Sequence, residues 1–434
     1  MNGSILTDIV EDNRAEGQRG IYSVCSAHSL VLDASLRQAK ADGSPMLIEA
    51  TCNQVNQDGG YTGMTPSDFR DYVLDIAAEV GFPEQQLVLG GDHLGPNPWT
   101  SRTAAEAMAN AKVMVVDYVR AGFAKIHLDA SMACADDVEP VPDDIIAERA
   151  TELCAAAEAA IPDPSAPPVY IIGTEVPVPG GAQEDLDELA TTRIPDLQQT
   201  IETHRRKFTE HGLGDAWERV IGVVVQPGVE FDHASVIGYQ PAKAQELSEA
   251  ILGFDNIVYE AHSTDYQTET ELRNLVTDHF AILKVGPALT YAAREALFAL
   301  SYIEQEWIVD RPLSNLRQVM DERMLEHPKN WAKYFPGSDE EQAFARKYSF
   351  SDRSRYYWAD PEIEASVQVL LKNLTERPAP MTLLSQFMPL QYAAFRAGTL
   401  NKDPLSLVRH QIQEVVSIYA RASGLAANGA PAVH

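Results

Sequence analysis

An acid and an imidazole stand side by side at the end of one apolar run. The run is VLGGDHLGPNPW, residues 88–99, in which Asp92 and His93 follow two glycines. A strand that only fills a core has no need of two titratable groups at its end. His93 is a candidate metal ligand. Asp92 is a candidate proton carrier, or it orients His93 as a hydrogen-bond acceptor, and the sequence leaves both roles open.

A second histidine, His262, ends the apolar run NIVYEAHS. Two imidazoles from separate strands, joined by an oxygen ligand such as Glu175 or Gln226, form a mixed nitrogen and oxygen set that suits Zn²⁺ with an open coordination position. We therefore predict a divalent metal site with zinc as the favoured ion. Glu175 and Asp129, each at the end of its own apolar run, are further candidates for the catalytic transfer of a proton.

A phosphate-binding region is predicted beside the metal site. The segments HSTD and KVGPALT supply hydroxyls, a lysine, a glycine and a helix N-terminus, which are features that bind phosphate. The candidate residues are Ser263, Thr264, Asp265, Lys284 and Gly286. The segment DRSRYYW, residues 352–358, brings Arg353 or Arg355 over the same mouth, or it is the start of a surface helix.

The scaffold that gathers these side chains is indicated by eight short runs rich in Val, Ile and Leu. They begin at Gly20, Ser44, Leu87, Ala124, Pro168, Arg219, Asn256 and Phe280. Apolar strands that alternate with amphipathic helices signal a parallel sheet buried on both faces. Eight such units predict a (β/α)8 TIM barrel, a fold of the α/β class in which functional groups lie at the carboxyl ends of the strands.

The pattern changes after about residue 300. No strand-like run follows, and helical periodicity continues through EIEASVQVLLKNL and PLSLVRHQIQEVVSIYARAS. We expect a barrel over residues 1–300 and a C-terminal helical region over residues 301–434 that packs on it.

Charge and composition exclude several classes of partner. Lys and Arg number 34 against 63 Asp and Glu, which gives a formal charge of -29. Such a surface repels nucleic acid and anionic lipid, although a metal or a local arginine can still admit a small anion into a cleft. The N-terminal residues lack the apolar segment of a secretion signal, and no long apolar run follows, so we expect a cytoplasmic protein.

Several long motifs resemble those of a known family. They are EATCNQVNQDGGYTGMTP, VLGGDHLGPNPW, GTEVPVPGG, VVVQPGVEFDH, YEAHSTDYQ, LKVGPALT and DRSRYYW. On these motifs nearly the whole chain resembles the D-tagatose-1,6-bisphosphate aldolase non-catalytic subunit family, sometimes labelled as tagatose-6-phosphate kinases. The sequence has no GxxxxGK[ST] loop and no GxGxxG fingerprint, so we expect neither a nucleotide cofactor nor phosphoryl transfer.

That family is similar to the class II, zinc-dependent aldolases. The resemblance implies that Asp92 is the proton carrier and His93 a zinc ligand at the end of the third strand. His262 matches the zinc histidine of the seventh strand, and Glu175 matches a glutamate of the fifth. The third zinc histidine of those aldolases belongs to the sixth strand, where this chain has Gln226. The metal is then one histidine short unless Glu175 or Gln226 completes the site.

Two functions follow from the resemblance. Some members of the family are implicated as 4-epimerases of D-tagatose 6-phosphate and D-fructose 6-phosphate, in sugar catabolism. The alternative is an accessory subunit that stabilises a separate aldolase catalytic subunit. The clustered charges favour an enzyme, because a scaffold gains nothing from charged groups that must be desolvated. A homo-oligomer is left open.

Overall fold

Eight parallel strands close into a barrel in the computed structural model of the chain, which describes residues 3–174 and 189–426. The barrel strands are β1 (Ile21–Val24), β2 (Met46–Thr51), β3 (Leu87–Leu94), β4 (Lys125–Leu128), β5 (Val169–Ile172), β6 (Val220–Val224), β9 (Val258–Ala261) and β10 (Ile282–Val285), and two short strands between them are β7 (Glu230–Phe231) and β8 (Val236–Ile237). Strands β7 and β8 form a separate antiparallel pair, and β1 closes the barrel by pairing with both β2 and β10. Each predicted run contains one barrel strand, so the predicted (β/α)8 barrel is confirmed.

Helices surround the barrel and continue beyond it. They are α1 (Ser4–Glu16), α2 (Ser29–Asp42), α3 (Pro66–Val80), α4 (Ala104–Arg120), α5 (Asp143–Glu158), α6 (Ile194–Glu210), α7 (Gly214–Trp217), α8 (Pro241–Ala250), α9 (Glu269–Thr277), α10 (Pro287–Trp307), α11 (Leu316–Glu326), α12 (Asp339–Tyr348), α13 (Pro361–Glu376), α14 (Met381–Phe387), α15 (Pro389–Arg396) and α16 (Pro404–Ala422). None of the helices in the described ranges has the length and apolar character needed to cross a bilayer.

Local sequence signals explain where several helices begin. Thr65 caps α3 by accepting a hydrogen bond from the backbone N–H of Asp68, and the Asp68 carboxylate accepts the backbone N–H of Thr65 in return. Pro66 occupies the first helical position, where its missing N–H costs nothing. The same reciprocal cap, with Thr103 and Glu106, begins α4. Such caps fix the point at which the chain leaves each strand end for its helix.

The two glycines that precede Asp92 make room inside and outside the barrel. Gly90 pairs with Glu49 on β2, and a Cβ atom at Gly90 would lie 2.8 Å from Cγ of Glu49. A Cβ atom at Gly91 would lie 2.5 Å from a methyl group of Leu94 and 2.8 Å from the ring of Tyr118. The missing side chain at Gly90 therefore makes room for the buried carboxylate of Glu49, and the one at Gly91 makes room for Leu94 and Tyr118.

The C-terminal helices are part of the layer that surrounds the barrel. In the described residues after β10, all regular elements are helices, and α10 runs through residue 300. Helix α16 packs against α2, α9 and α10. The Tyr419 hydroxyl donates to the backbone oxygen of Thr264 at 2.7 Å, and Arg409 forms an ion pair with Asp33. The last helix therefore supports the loop that follows β9.

Gly95, directly after β3, provides a test of this close packing. A Cβ atom there would lie 1.5 Å from the backbone oxygen of Asp129. We expect Gly95→Ala to force the ends of β3 and β4 apart and to lower the free energy of unfolding by about 2–3 kcal/mol, measured by urea denaturation. The control is Gly214→Ala, where no atom lies within 4 Å of the added Cβ. Equal stability of the two variants would contradict this packing.

Candidate active site

Three histidines converge at the carboxyl end of the barrel. His93 lies in β3, His127 in β4, and His262 directly after β9. Their ring centroids are 4.9 Å apart for His93 and His262, 5.1 Å for His93 and His127, and 5.3 Å for His127 and His262. Together with Asp92, each offers one ligand atom, and these atoms all lie within 4.8 Å of one another. All four side chains are buried.

The backbone of β3 explains how neighbouring residues reach the same site. Successive side chains of a regular strand point to opposite faces. His93, however, has a φ angle of 51°, and the pairing of β3 with β4 shifts register between Gly91 and Leu94. This irregularity turns the His93 ring toward the barrel mouth, so that both Asp92 and His93 line one pocket.

Each imidazole is bonded through one ring nitrogen to a carboxylate. The pairs are His93 Nδ1 with Asp129 Oδ2 at 2.7 Å, His127 Nδ1 with Asp92 Oδ1 at 2.9 Å, and His262 Nε2 with Glu260 Oε1 at 3.0 Å. A carboxylate behind the imidazole is the usual arrangement of a metal-binding histidine, because it fixes the ring and leaves the other nitrogen for the metal.

The remaining ring nitrogens fit a metal ion. Nε2 of His127 is buried and has no hydrogen-bond partner within the described chain. Leaving a buried polar atom unsatisfied is costly unless a ligand takes it up. Burial also lowers the pKa of His262 to about 4, so its ring is neutral at physiological pH, which is the form that coordinates metals. The structure thus contains a cluster of residues able to hold a metal ion.

Two lysines and two glutamates lie beneath the histidines in the barrel interior. Nζ of Lys125 is 2.7 Å from Glu49 Oε1 and 2.7 Å from Glu260 Oε2, and all three side chains are fully buried. Lys284 contacts Glu49 and lies 2.8 Å from Asp92 Oδ1. This network fixes the carboxylates that in turn orient the imidazoles.

The charges of the whole cluster do not cancel. Its four carboxylates are those of Glu49, Asp92, Asp129 and Glu260, and its two lysines are Lys125 and Lys284. With the three imidazoles in the neutral form that binds a metal, an excess of two negative charges is buried, where uncompensated charge is costly. A bound divalent cation would neutralise this excess.

Asp92 combines a charged state with access to the pocket. Burial raises the pKa of its carboxyl, but the neighbouring charges of His93 and Lys284 outweigh this effect and hold the pKa well below its usual range. Its Oδ1 is bonded to His127 and Lys284, whereas Oδ2 lies 3.6 Å from His93 Nε2 and 4.0 Å from Cys25 Sγ. Oδ2 is therefore the oxygen placed to accept a proton or a metal ion.

The structure does not bring every sequence candidate into this cluster. The Gln226 side chain, considered above as a metal ligand, folds back on its own loop: its Oε1 accepts hydrogen bonds from the backbone N–H groups of Gly228 and Val229 at 2.8 and 3.1 Å. His127 lies in the cluster instead. Glu175, the other oxygen ligand considered, lies outside the described residues.

Asp129 supports the cluster from behind. Its Oδ2 contacts the His93 ring, and its Oδ1 accepts hydrogen bonds from the hydroxyl and the backbone N–H of Ser131, at 2.6 and 3.1 Å. These contacts place Asp129 behind the His93 ring as its hydrogen-bond partner, and its role as a proton carrier stays a prediction from the sequence. His127 precedes Asp129 by two residues, so strand alternation alone could have placed both on the inner face.

The predicted phosphate residues have several different environments. Ser263 lines the pocket, whereas the Thr264 hydroxyl is buried and donates to the backbone oxygen of Lys284 at 2.6 Å. Asp265 accepts the backbone N–H of Gly286 at 3.0 Å, and thus places a carboxylate where phosphate was expected. The charge of Lys284 is matched by its carboxylate neighbours. These residues therefore do not form a ready anion site.

Two arginines from the helical region reach the same pocket. Arg353 and Arg355 lie in a short 3₁₀ turn and line the pocket together with Asp92, His93 and His262. Arg353 is 4% exposed and lies over the Tyr334 ring at 3.3 Å from its centroid. Within the described ranges, neither arginine has a carboxylate oxygen within 4.0 Å. Their charges are thus available to an anion.

The matches to known proteins agree with this architecture. The family model described as D-tagatose-1,6-bisphosphate aldolase subunit GatZ/KbaZ-like matches residues 6–424. The chain belongs to this family. A solved relative of this GatZ/KbaZ-like chain is described as a probable tagatose 6 phosphate kinase from Sinorhizobium meliloti 1021. It is 47% identical, with a TM-score of 0.86 over 93% of this chain and 100% of that one.

Two aldolases are more distant from this GatZ/KbaZ-like chain. The fructose-bisphosphate aldolase of Campylobacter jejuni is 14% identical, with a TM-score of 0.45 over 86% of this chain and 93% of that one. The YdjI aldolase of Escherichia coli K12 is 12% identical, with a TM-score of 0.42 over 83% of this chain and 94% of that one.

The assignment of His127 to the metal cluster can be tested by substitution. We expect His127→Ala to weaken Zn²⁺ binding by at least about tenfold, measured by titration against a chromophoric chelator, because one of three imidazole ligands is lost. His204→Ala is the matched control, since His204 on α6 is equally buried and its Nε2 also has no partner in the described residues. Retention of full zinc affinity by His127→Ala would remove His127 from the site.

Proposed function

We propose that this protein is a metal-dependent epimerase that inverts C4 of a ketohexose 6-phosphate, interconverting D-tagatose 6-phosphate and D-fructose 6-phosphate. The observation that carries the proposal is a single pocket that joins the histidine cluster to two arginines without carboxylate partners in the described chain. The pocket thus combines residues that suit a metal with residues that suit a phosphate group.

The chemistry of the substrate restricts the route. In a 2-keto sugar the hydrogen on C4 is β to the carbonyl and is not acidic, so proton abstraction cannot invert that carbon. Oxidation and reduction at C4 would need a nicotinamide, whose glycine-rich fingerprint this sequence lacks. Cleavage and re-formation of the C3–C4 bond, by retro-aldol and aldol steps, is the route that this site can support.

The proposed first step begins with Asp92. Its Oδ2 accepts the proton of the C4 hydroxyl, the C4–O bond becomes a carbonyl, and the electron pair of the C3–C4 bond moves to the ketose fragment as an enediolate. When bound by His93, His127 and His262, Zn²⁺ supplies a Lewis acid that stabilises negative charge on substrate oxygens. Glu175, outside the described residues, stays a candidate for a second proton carrier.

The second step reverses the first on the other face of the aldehyde. The aldehyde turns, the enediolate carbon adds to its opposite face, and Asp92 returns the proton to the new C4 oxygen. Arg353 and Arg355 hold the phosphate throughout, so that the fragment stays in the pocket while it turns. Retention of the fragment distinguishes an epimerase from an aldolase, which releases it.

A second candidate function is an accessory subunit for an aldolase. The family description names an aldolase subunit, and Gln226 stands where the resemblance to class II aldolases expects a zinc histidine. In this role the protein binds and stabilises a separate catalytic subunit and has no turnover of its own. The two functions differ in what the purified chain does alone.

Turnover by the purified chain separates these functions. We expect D-fructose 6-phosphate and the Zn²⁺-loaded protein to yield D-tagatose 6-phosphate with no added subunit, followed by NMR, and removal of the metal by a chelator to stop the reaction. Asp92→Asn should lower kcat by at least about 100-fold, because the proton acceptor is lost. No product from the zinc-loaded protein, together with thermal stabilisation of an aldolase catalytic subunit, would favour the accessory role.

The proposed phosphate site gives a separate prediction. We expect Arg355→Gln to raise KM for D-fructose 6-phosphate by about tenfold or more, with a smaller change in kcat, because a charge-assisted contact to phosphate is lost. Arg19→Gln is the control, because the Arg19 side chain is partly exposed, pairs with Asp12 and lies outside the pocket residues. An unchanged KM for Arg355→Gln would place the phosphate elsewhere.

A further inference from the structure

The N-terminus of α10 borders the pocket beside the histidine cluster. Gly286 and Pro287, at the start of this 21-residue helix, are among the pocket residues. In (β/α)8 barrels, the loops after the seventh and eighth strands and a helix N-terminus frequently bind a phosphate group. A ketose bisphosphate needs such a site for its second phosphate.

In this chain a carboxylate already fills that position. Asp265 Oδ1 accepts hydrogen bonds from the backbone N–H groups of Gly286 at 3.0 Å and Ala288 at 2.8 Å. Pro287 has no N–H, and the N–H groups of Leu289 and Thr290 are bonded to the Gly286 oxygen. The first turn of α10 therefore has no donor left for a phosphate.

The charge of Asp265 strengthens this exclusion. Its side chain is buried at the pocket wall, and burial raises its pKa to about 6, so the carboxyl is mainly ionised at neutral pH. A second phosphate placed there would meet a like charge in a site of low dielectric constant. The nearby cation Lys284 is already paired with Asp92 and Glu49.

The cationic side chains of the pocket are arranged to bind one anionic group. Of the lysines and arginines that line it in the described chain, Arg353 and Arg355 have no carboxylate oxygen within 4.0 Å, although the charge of Arg355 also attracts Asp265. The two arginines neighbour each other in one turn. They provide a single positive region. Together with the filled helix N-terminus, this arrangement suits a ligand with one phosphate group.

We propose that Asp265 selects monophosphorylated ketoses and rejects bisphosphates by occupying the N-terminus of α10 with its own carboxylate. The inference rests on the proposed function in that the pocket binds a phosphorylated ketose. It assigns to Asp265 the selection of substrates with one phosphate group over substrates with two. This role is separate from the chemistry at C4.

Calorimetric titration of the Zn²⁺-loaded protein tests this selectivity without turnover. The probes are D-fructose 6-phosphate and D-fructose 1,6-bisphosphate. We expect the wild-type chain to bind the monophosphate at least about tenfold more tightly, a difference of about 1.4 kcal/mol. Asp265→Asn keeps a capping oxygen but removes the charge, and Asp265→Gly also frees the backbone donors. Each should shift the ratio of the two Kd values toward the bisphosphate by at least about tenfold.

Asp403→Asn is the matched control, because Asp403 caps α16 through the N–H of Ser406 and lies outside the pocket residues. The ratio of its Kd values for the monophosphate and the bisphosphate should equal that of the wild type. Equal or tighter binding of the bisphosphate by the wild type, or an unchanged ratio in both folded Asp265 variants, would overturn the inference. If the ratio of the two Kd values shifts in the Asp265 variants but the wild type has no epimerase turnover, the role of Asp265 is supported and the epimerase is contradicted. If the wild type turns over but the ratio of Kd values does not shift, the epimerase is supported and the role of Asp265 is contradicted.

Discussion

Buried negative charge at the carboxyl end of the barrel is the constraint on which the site depends. Four carboxylates and two lysines share this interior, and the lysines cannot neutralise all of the acids. Such an arrangement is costly to bury without a further cation. The imidazoles, each held by one of the carboxylates, surround the place where a divalent ion would complete the balance. Metal binding and the stability of this interior are therefore coupled in our account.

The helical region completes the pocket that the barrel begins. The strand ends carry the histidine cluster and Asp92, whereas the strand lysines Lys125 and Lys284 are both paired with carboxylates. Arg353 and Arg355 come from a turn that follows α12, and α16 supports the loop after β9 through Tyr419. The proposed phosphate-binding part of the pocket thus depends on arginines about 70 positions beyond the last barrel strand.

The barrel could be predicted from the sequence because its signals are local. Alternating apolar runs and capped helices identify the strands and their order, and the rule that strand ends carry function identified Asp92, His93 and His262 as candidates. His127 was missed because it lies inside β4, where a histidine resembles core. The environment of Asp265 could not be read from sequence either, since its hydrogen bonds join two loops that meet only in the folded chain. The position of the Gln226 side chain could not be predicted either, because it is set by hydrogen bonds from backbone N–H groups, which any sequence provides.

X-ray absorption at the zinc edge of the Zn²⁺-loaded protein tests the central claim most directly. We predict a first coordination shell with nitrogen scatterers at about 2.0–2.1 Å and the multiple-scattering signature of three imidazole rings. The signature of three rings should fall to two in His127→Ala. A shell dominated by sulfur at about 2.3 Å, or one without imidazole scattering, would contradict the claim that His93, His127 and His262 hold the metal.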